Sequence, residues 1–443
     1  MQTAFTPAQL ADPRIAEADQ ILRKCVHCGF CLATCPTYVE LGNELDSPRG
    51  RIYLIKDMFE AEKPASAEVA LHIDRCLSCY SCMTTCPSGV DYMHLVDQAR
   101  VHIEKTYRRP LRDRLMREAL ARILPHRERF RAALNAARLG RPAGPLMKAL
   151  GGPFRQMAAM LALAPGEIPD GGKMAEPGNT FRPKGERKGR VALLTGCAQP
   201  VLDPGINAAT IRLLNRAGIE VVLPKGEGCC GGLVHHMGRE DEALPLARRN
   251  IAAWIAEMEG EGLDAILITT SGCGTTIKDY GHLFAAHPAW RERAARVAAI
   301  AMDVSEYLAR LDLPEPVAGG GLKVAYHAAC SLQHGQKVVK EPRAILEKAG
   351  FEVLGVPEGH LCCGSAGTYN LLQPAIAGRL RDRKVANIES VEPEVIATGN
   401  IGCIMQIRSG TKIPILHTVE LLDWATGGPA PAALSRSPRP ARI

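Results

Sequence analysis

Aromatic residues are scarce in this chain, with 3 Trp, 9 Tyr and 8 Phe among 443 residues. No aromatic or motif-like pattern accompanies its basic residues, so a nucleic-acid partner is not expected. Long apolar runs are missing as well. The longest, 157–164, falls far short of the roughly 18 residues a membrane span needs. The N-terminus, Met1-Gln2-Thr3-Ala4-Phe5, has neither the basic start nor the apolar stretch of a signal peptide, and a twin-arginine export signal is lacking. The expected location is the cytoplasm. Neither a P-loop nor a convincing flavin site is found.

Cysteine, by contrast, is abundant, with 16 residues. In a reducing compartment that abundance points to metal or redox chemistry rather than disulfides, and the length excludes a small disulfide scaffold. The net charge of +7 is concentrated in one segment: Arg100 to Lys148 holds 14 Lys and Arg against 4 Asp and Glu. This stretch has helical spacing at Leu111, Leu115, Leu120, Ile123 and Leu124. It reads either as the solvated face of a linking helix or as a surface that docks on anionic lipid headgroups or an acidic partner.

Eight cysteines form two tight groups. Cys25, Cys28, Cys31 and Cys35 precede Pro36, and Cys76, Cys79, Cys82 and Cys86 precede Pro87, both with the spacing C-x2-C-x2-C-x3-C-P. Three thiolates two residues apart wrap three corners of one cube, and the fourth reaches across to the other. Cys25, Cys28, Cys31 and Cys86 are therefore expected on one [4Fe–4S] cluster, and Cys76, Cys79, Cys82 and Cys35 on a second. Zinc also favours C-x2-C, but does not require a third and fourth cysteine so close, nor the Cys-Pro ending, twice. Between the groups, Ser47 and Pro48 read as a helix start. Arg49 and Arg51 carry the alternative of lying near a cluster and raising its potential.

The other eight cysteines belong to an internal repeat. Cys197, Cys229 and Cys230 recur 133 positions later as Cys330, Cys362 and Cys363, and Cys273 recurs 130 positions later as Cys403. Short β-branched runs at 191–194, 221–223 and 265–269 alternate with helical stretches at 208–217 and 242–258, so the cysteines fall at strand ends, where α/β sheets collect ligands. Inert buried thiols would not explain a duplicated pattern of eight. The set is a candidate redox centre, either a further cluster or a reactive dithiol–disulfide pair. Gly226, Gly228 and Gly231 match G-x-G-x-x-G, but the second copy lacks the middle glycine, so packing around the cysteines explains them better than a nucleotide. His235, His236, His327, His334, His360 and His417 lie near these cysteines or at strand ends. Most are expected to be hydrogen-bonded structural residues, with one or two beside the centre.

The fold class expected is α+β: a mainly helical two-[4Fe–4S] ferredoxin module over 1–100, a basic helical region and linker over 101–189, and α/β cysteine-rich repeats over 190–318 and 319–427. A mobile tail occupies 428–443. The Pro/Gly-rich stretch 165–189 reads as the linker.

This layout resembles a group of electron-transfer subunits that includes the iron–sulfur subunit of glycolate oxidase, the third subunit of anaerobic glycerol-3-phosphate dehydrogenase and heterodisulfide-reductase-type proteins. The strings Lys24 to Thr37, Ser331 to Gly335, Cys362 to Tyr369, Asn400 to Cys403 and His417 to Leu422 are similar to the glycolate oxidase subunits. The resemblance implies a complex in which an FAD-bearing flavoprotein oxidises glycolate to glyoxylate. This chain would relay the electrons to a quinone-type acceptor and would hold no catalytic residue of its own. It would be cytoplasmic, or peripheral on the inner membrane. The alternatives are the same relay for D-lactate or glycerol 3-phosphate, and a disulfide-reducing enzyme. The heterodisulfide-reductase relatives end each repeat in C-x-x-C. Here Gly-Thr-Thr follows Cys273 and Ile-Met-Gln follows Cys403, which favours the dithiol version of the centre.

Overall fold

The computed structural model describes residues 1–150, 161 and 167–435. Apart from residue 161, the apolar run 157–164 lies outside the described residues, as do 165–166 of the expected linker and 436–443 of the tail.

The N-terminal part is helical. Helices Pro13–Lys24, Pro48–Glu60, Ala67–Asp74 and Tyr92–Thr106 close around one core that includes Leu22, Ile55, Ile73, Leu95 and Ile103. Their starts are fixed locally. Asp12 accepts from the Arg14 amide and Ser66 from the Val69 amide, satisfying donors that have no partner within the helix. The helix start expected at Ser47 and Pro48 is present: Ser47 Oγ accepts from the Gly50 amide at 3.0 Å, with Pro48 at the first position. Gly50 is required there, because a Cβ would stand 2.0 Å from the Glu44 carbonyl oxygen.

The duplicated part forms two sheets. In the first, β2 (Gly189–Leu193), β3 (Ile219–Leu223), β4 (Ala265–Ile268) and β5 (Ala301–Asp303) are parallel in the order β3-β2-β4-β5. In the second, β6 (Lys323–Tyr326), β7 (Glu352–Gly355), β8 (Val395–Thr398) and β9 (Ile415–His417) repeat that order as β7-β6-β8-β9. The runs expected as strands are β2, β3 and β4, and the two expected helices are Gly205–Arg216 and Glu240–Glu259. Three strands are not among those expected: β5 and β9, which extend each sheet by one three-residue strand, and one more at the opposite edge of the first. Within the segment read as a linker, β1 (Asn179–Phe181) pairs antiparallel with β3 as an edge strand. Three residues in a Pro/Gly-rich setting carry no alternation to betray a strand.

The sheets share a core that runs from Val191, Leu193 and Leu213 to Val324, Val395 and Leu421. Each repeat lends its last helix to the other. Thr418–Ala425 packs on Gly205–Arg216, and Val304–Leu308 packs on Glu341–Lys348. Asp423, buried in the first of these contacts, is clamped at 2.5 Å by both Arg212 and Arg216.

The helical module docks on both repeats. His94 meets Asp279 at 3.0 Å and Asp97 meets His235 and His236 at 3.4 Å on the first. Thr84 meets His334 at 2.7 Å and Glu40 meets Arg383 at 3.1 Å on the second. Some arginines of the basic stretch are internal to this assembly, while others, such as Arg108, Arg112 and Arg114, are exposed. Arg109 and Arg117 converge on Asp74 at 2.6 and 2.9 Å, while Arg127 reaches the Gly196 carbonyl at 2.7 Å. Among the described residues, no helix is long and apolar enough to cross a membrane.

Candidate functional site

The two ferredoxin-type loops use the same backbone device. His27 and Gly29 follow Cys25 with positive φ, and the matching Ser78 and Tyr80 follow Cys76 in the same way. Alternating left-handed residues curl each loop so that its cysteines face inward. A small cavity is lined by Cys25, Cys28, Cys31, Cys82 and Cys86. Cys35 is not among its lining residues. Its Sγ is 3.3 Å from Thr37 Oγ1 and 3.9 Å from Arg51 Nη1, and charge at Cys35 is felt by both Cys79 and Cys82.

Crowding and burial act together on these thiols. Burial, followed by the neighbouring Cys25, raises Cys31 to about 11. Cys79 and Cys82 are pushed well above the ordinary thiol range, first by burial and then by neighbouring cysteines. Thiols held this way lose their protons together only to a cation placed among them, which suits a bound iron–sulfur group. Such a group supplies one-electron transfer when bound.

Arginines surround the pair. Arg51 is 1 % exposed and donates to the His72 carbonyl at 2.7 Å and to Thr37 Oγ1 at 3.0 Å. Burial alone would lower its pKa, but negative charge at Cys76, Tyr92, Cys35 and Asp46 more than offsets that and raises it. Arg49 bonds the His27 carbonyl at 3.3 Å. Both side chains thus lie beside candidate cluster cysteines, Arg51 at Cys35 and Arg49 in the cavity with Cys25, Cys28 and Cys31. Arg100, which sequence reasoning missed, bonds the Cys76 carbonyl at 2.8 Å and Ser78 Oγ at 2.5 Å. Its only signal was membership of the basic stretch.

In each repeat the cysteines stand at the carboxyl ends of three adjacent strands. Cys197 follows β2, Cys229 and Cys230 follow β3, and Cys273 lies in the first turn of the helix after β4 (Ser271–Lys278). Cys330, Cys362, Cys363 and Cys403 repeat this after β6, β7 and β8. Gly231 and Gly364 make the tight approach possible. Both have positive φ, and a Cβ would meet the Ala243 or Ala377 carbonyl oxygen at 2.9 or 2.6 Å. The Cys330 thiol donates to Cys362 Sγ at 3.6 Å. Cys230 is held well below the ordinary thiol range because Cys229 and Cys273 donate to it, aided by the Gly232 amide at 3.4 Å.

Seven of the eight repeat cysteines line one cavity of about 430 Å³; Cys229 does not. Cys76 of the helical module also lines it, and residues of helices Leu111–Ile123 and Arg127–Gly140 form another wall. The second repeat packs against the ferredoxin-type cysteines. Cys79 and Cys362 share one small apolar cluster with Leu77 and Tyr369, and Cys330 packs against it.

The singled-out histidines divide. His417 caps Thr418–Ala425 and meets the Thr269 carbonyl at 2.8 Å, so it is structural. His334 is held between Thr84 and the His360 carbonyl. His235 and His236 flank Asp97, whose carboxyl they hold well below its usual range although burial opposes this. His327 is different: a ring nitrogen lies within 4.8 Å of the sulfurs of Cys363 and Cys403, and burial drives its pKa down to about 3, with Lys384 adding to the effect. Sequence reasoning also missed Glu227, which accepts from the Thr195 amide at 2.9 Å and which burial pushes up to about 7.

A dicluster-type loop pair joined to duplicated cysteine-ended sheets defines an iron–sulfur electron-transfer subunit. Residues 21–90 match the family described as "4Fe-4S dicluster domain", and 191–278 and 324–408 each match "Cysteine-rich domain". The chain belongs to the family of glycolate oxidase iron–sulfur subunits. It is 43% identical to the "Glycolate oxidase iron-sulfur subunit" of Escherichia coli (strain K12), over 96% of this chain and 99% of that one. It is 33% identical to the "Probable glycolate oxidase iron-sulfur subunit" of Bacillus subtilis (strain 168), over 92% and 94%. The "Lactate utilization protein A" of Bacillus licheniformis is 29% identical over 53% of this chain and 99% of its own length.

Proposed function

We propose that this chain relays electrons from a flavoprotein that oxidises glycolate to glyoxylate, passing them to a quinone-type acceptor. Oxidation of the alcohol releases two electrons and two protons, and a flavin accepts both electrons before single-electron carriers take them on. Cys25, Cys28, Cys31 and Cys86 would hold one [4Fe–4S] cluster, and Cys76, Cys79, Cys82 and Cys35 the other. The repeat thiols would form the redox centre beyond them. The observation that carries this reading is the contact of Cys79 with the Cys330 and Cys362 pair, which supports a route from the clusters into the second repeat.

The test is reconstitution. The purified chain should not turn over glycolate with an artificial acceptor, and adding the flavoprotein that co-purifies with it should restore quinone reduction. Glycolate turnover by the chain alone would overturn the relay reading. Lactate in place of glycolate is the second reading, supported by the similarity to the lactate utilization proteins. Relative rates on the two acids in the reconstituted complex decide between them.

A peripheral place on the inner membrane is also part of the proposal. Leu111 and Leu115 are exposed beside exposed Arg108, Arg112 and Arg114, a combination suited to an anionic lipid surface. Co-sedimentation with anionic vesicles should be lost in a Leu111→Glu, Leu115→Glu variant.

A further inference from the structure

The two repeats agree in their cysteines but differ in what stands beside them. Three residues before Cys197 the chain has Leu194; three before Cys330 it has His327. The helices behind the thiols differ too. Ala243 faces Gly231 as Ala377 faces Gly364, and seven residues further along stand Asn250 in one helix and Lys384 in the other. Asn250 spends its amide on the Cys229 carbonyl at 3.1 Å. Lys384 donates to the Glu358 carbonyl at 2.8 Å and places its ammonium where charge on Cys363 and Cys362 is felt.

His327 is 2 % exposed, and its Nε2 has no hydrogen-bond partner. A buried polar atom left unpaired costs about 1–3 kcal/mol. His94, His334 and His417 are engaged through both nitrogens: by Asp91 and Asp279, by Thr84 and the His360 carbonyl, and by the Val419 amide and the Thr269 carbonyl. His235 Nδ1 and His27 Nε2 are also unpaired, but neither residue forms a trio of donor groups with two thiols as His327 does. Two trios of donor groups among the described residues are close enough to share a metal ion. One, Glu17 with His94 and His282, is tied up in its ion pairs. The other is His327 with Cys363 and Cys403, all three buried.

We propose that Cys330, Cys362, Cys363 and Cys403 hold an iron–sulfur centre in which His327 Nε2 is a nitrogen ligand to iron, and that the first repeat, with Leu194 in that place, has no such ligand. The proposal rests on the reading that the repeat thiols form a redox centre, and it commits the second repeat to metal rather than a disulfide. A neutral imidazole leaves less negative charge on the centre than a fifth thiolate in its place would, and Lys384 adds positive charge beside it. Both make the centre easier to reduce than an all-thiolate cluster. This favours electron flow to it from the neighbouring cluster at Cys79.

The test uses the full chain, isolated without oxygen from cells fed nitrogen-15 histidine. Pulsed paramagnetic resonance on partly and fully reduced samples should show a histidine nitrogen coupled to a centre that a Cys362→Ser, Cys363→Ser variant lacks. His327→Leu, which copies the first repeat, should abolish that coupling and leave the two ferredoxin-type signals intact. His327→Gln repeats the test if the leucine variant loses those signals. Absence of coupling in the unmodified chain, or its survival in either variant, overturns histidine ligation. The serine variant separates the two levels. If it loses iron and a signal while no coupling is found, only the ligand assignment fails. If it keeps all the iron and every signal, the repeat centre fails, and the proposal with it.

Discussion

At the scale of single residues, the chain places positive charge and donors against the thiols that carry its function. Arg51 is the clearest case, with its guanidinium 3.9 Å from Cys35 and its other donors used by His72 and Thr37. Arg51→Met should destabilise the folded chain by about 1–3 kcal/mol, because it leaves the buried His72 carbonyl without its donor, while Asp46 keeps Arg75 and His72. It should also make one cluster harder to reduce. Thermal unfolding and a redox titration followed by paramagnetic resonance check both, and an unchanged potential would separate Arg51 from the cluster. Cys35 tests the crossed ligand sets. Cys35→Ala should damage the cluster assigned to Cys76, Cys79 and Cys82 and spare the one at Cys25, Cys28 and Cys31. Loss of the latter signal alone would reverse the assignment.

Among elements, the contact between the Tyr92–Thr106 helix and the first repeat depends on pH. Burial disfavours the charged form of His94, but Asp279 at 3.0 Å and Asp91 at 2.7 Å overcome it and raise the pKa to about 10. The raised value lies above that of a free imidazole, near 6.5. The stabilisation is therefore complete below pH 6.5 and is lost as pH rises through about 10. His282, stacked on His94, and Glu17, bonded to His282, face the same contact. His94→Gln should remove stability of the order of 2 kcal/mol at pH 6 and much less at pH 10, allowing for solvent screening. Thermal unfolding of both proteins across that range gives the comparison; an equal loss at both pH values would contradict it.

These contacts also mark where reading the sequence stops. The three strands that lead to the cysteines in each repeat, the duplication and every cysteine position were legible, because they rest on local patterns and fixed offsets. Asp97 with His235, Arg100 on the Cys76 carbonyl, and Arg127 on Gly196 were not. Each is a single polar residue, and Asp97 and Arg127 meet partners more than 60 positions away. The edge strand β1 escaped for a related reason: its role depends on pairing with β3, not on its own three residues. His327 was noticed only as one of six histidines; what distinguishes it is an unpaired Nε2 on a ring that also lies close to two buried thiols, which only packing reveals.

Over the whole molecule, the helical module is seated across both repeats, and a shared cavity brings Cys76 together with seven repeat cysteines. That arrangement makes sense as a line of electron carriers ending inside the repeats. The most direct test is rapid-freeze paramagnetic resonance on the reconstituted complex after mixing with glycolate, comparing the unmodified chain with the Cys362→Ser, Cys363→Ser variant. Both should reduce the two ferredoxin-type clusters at similar rates, and only the unmodified chain should then pass electrons to quinone. A folded variant that still reduces quinone at the normal rate would make the repeat cysteines structural and contradict the relay through them.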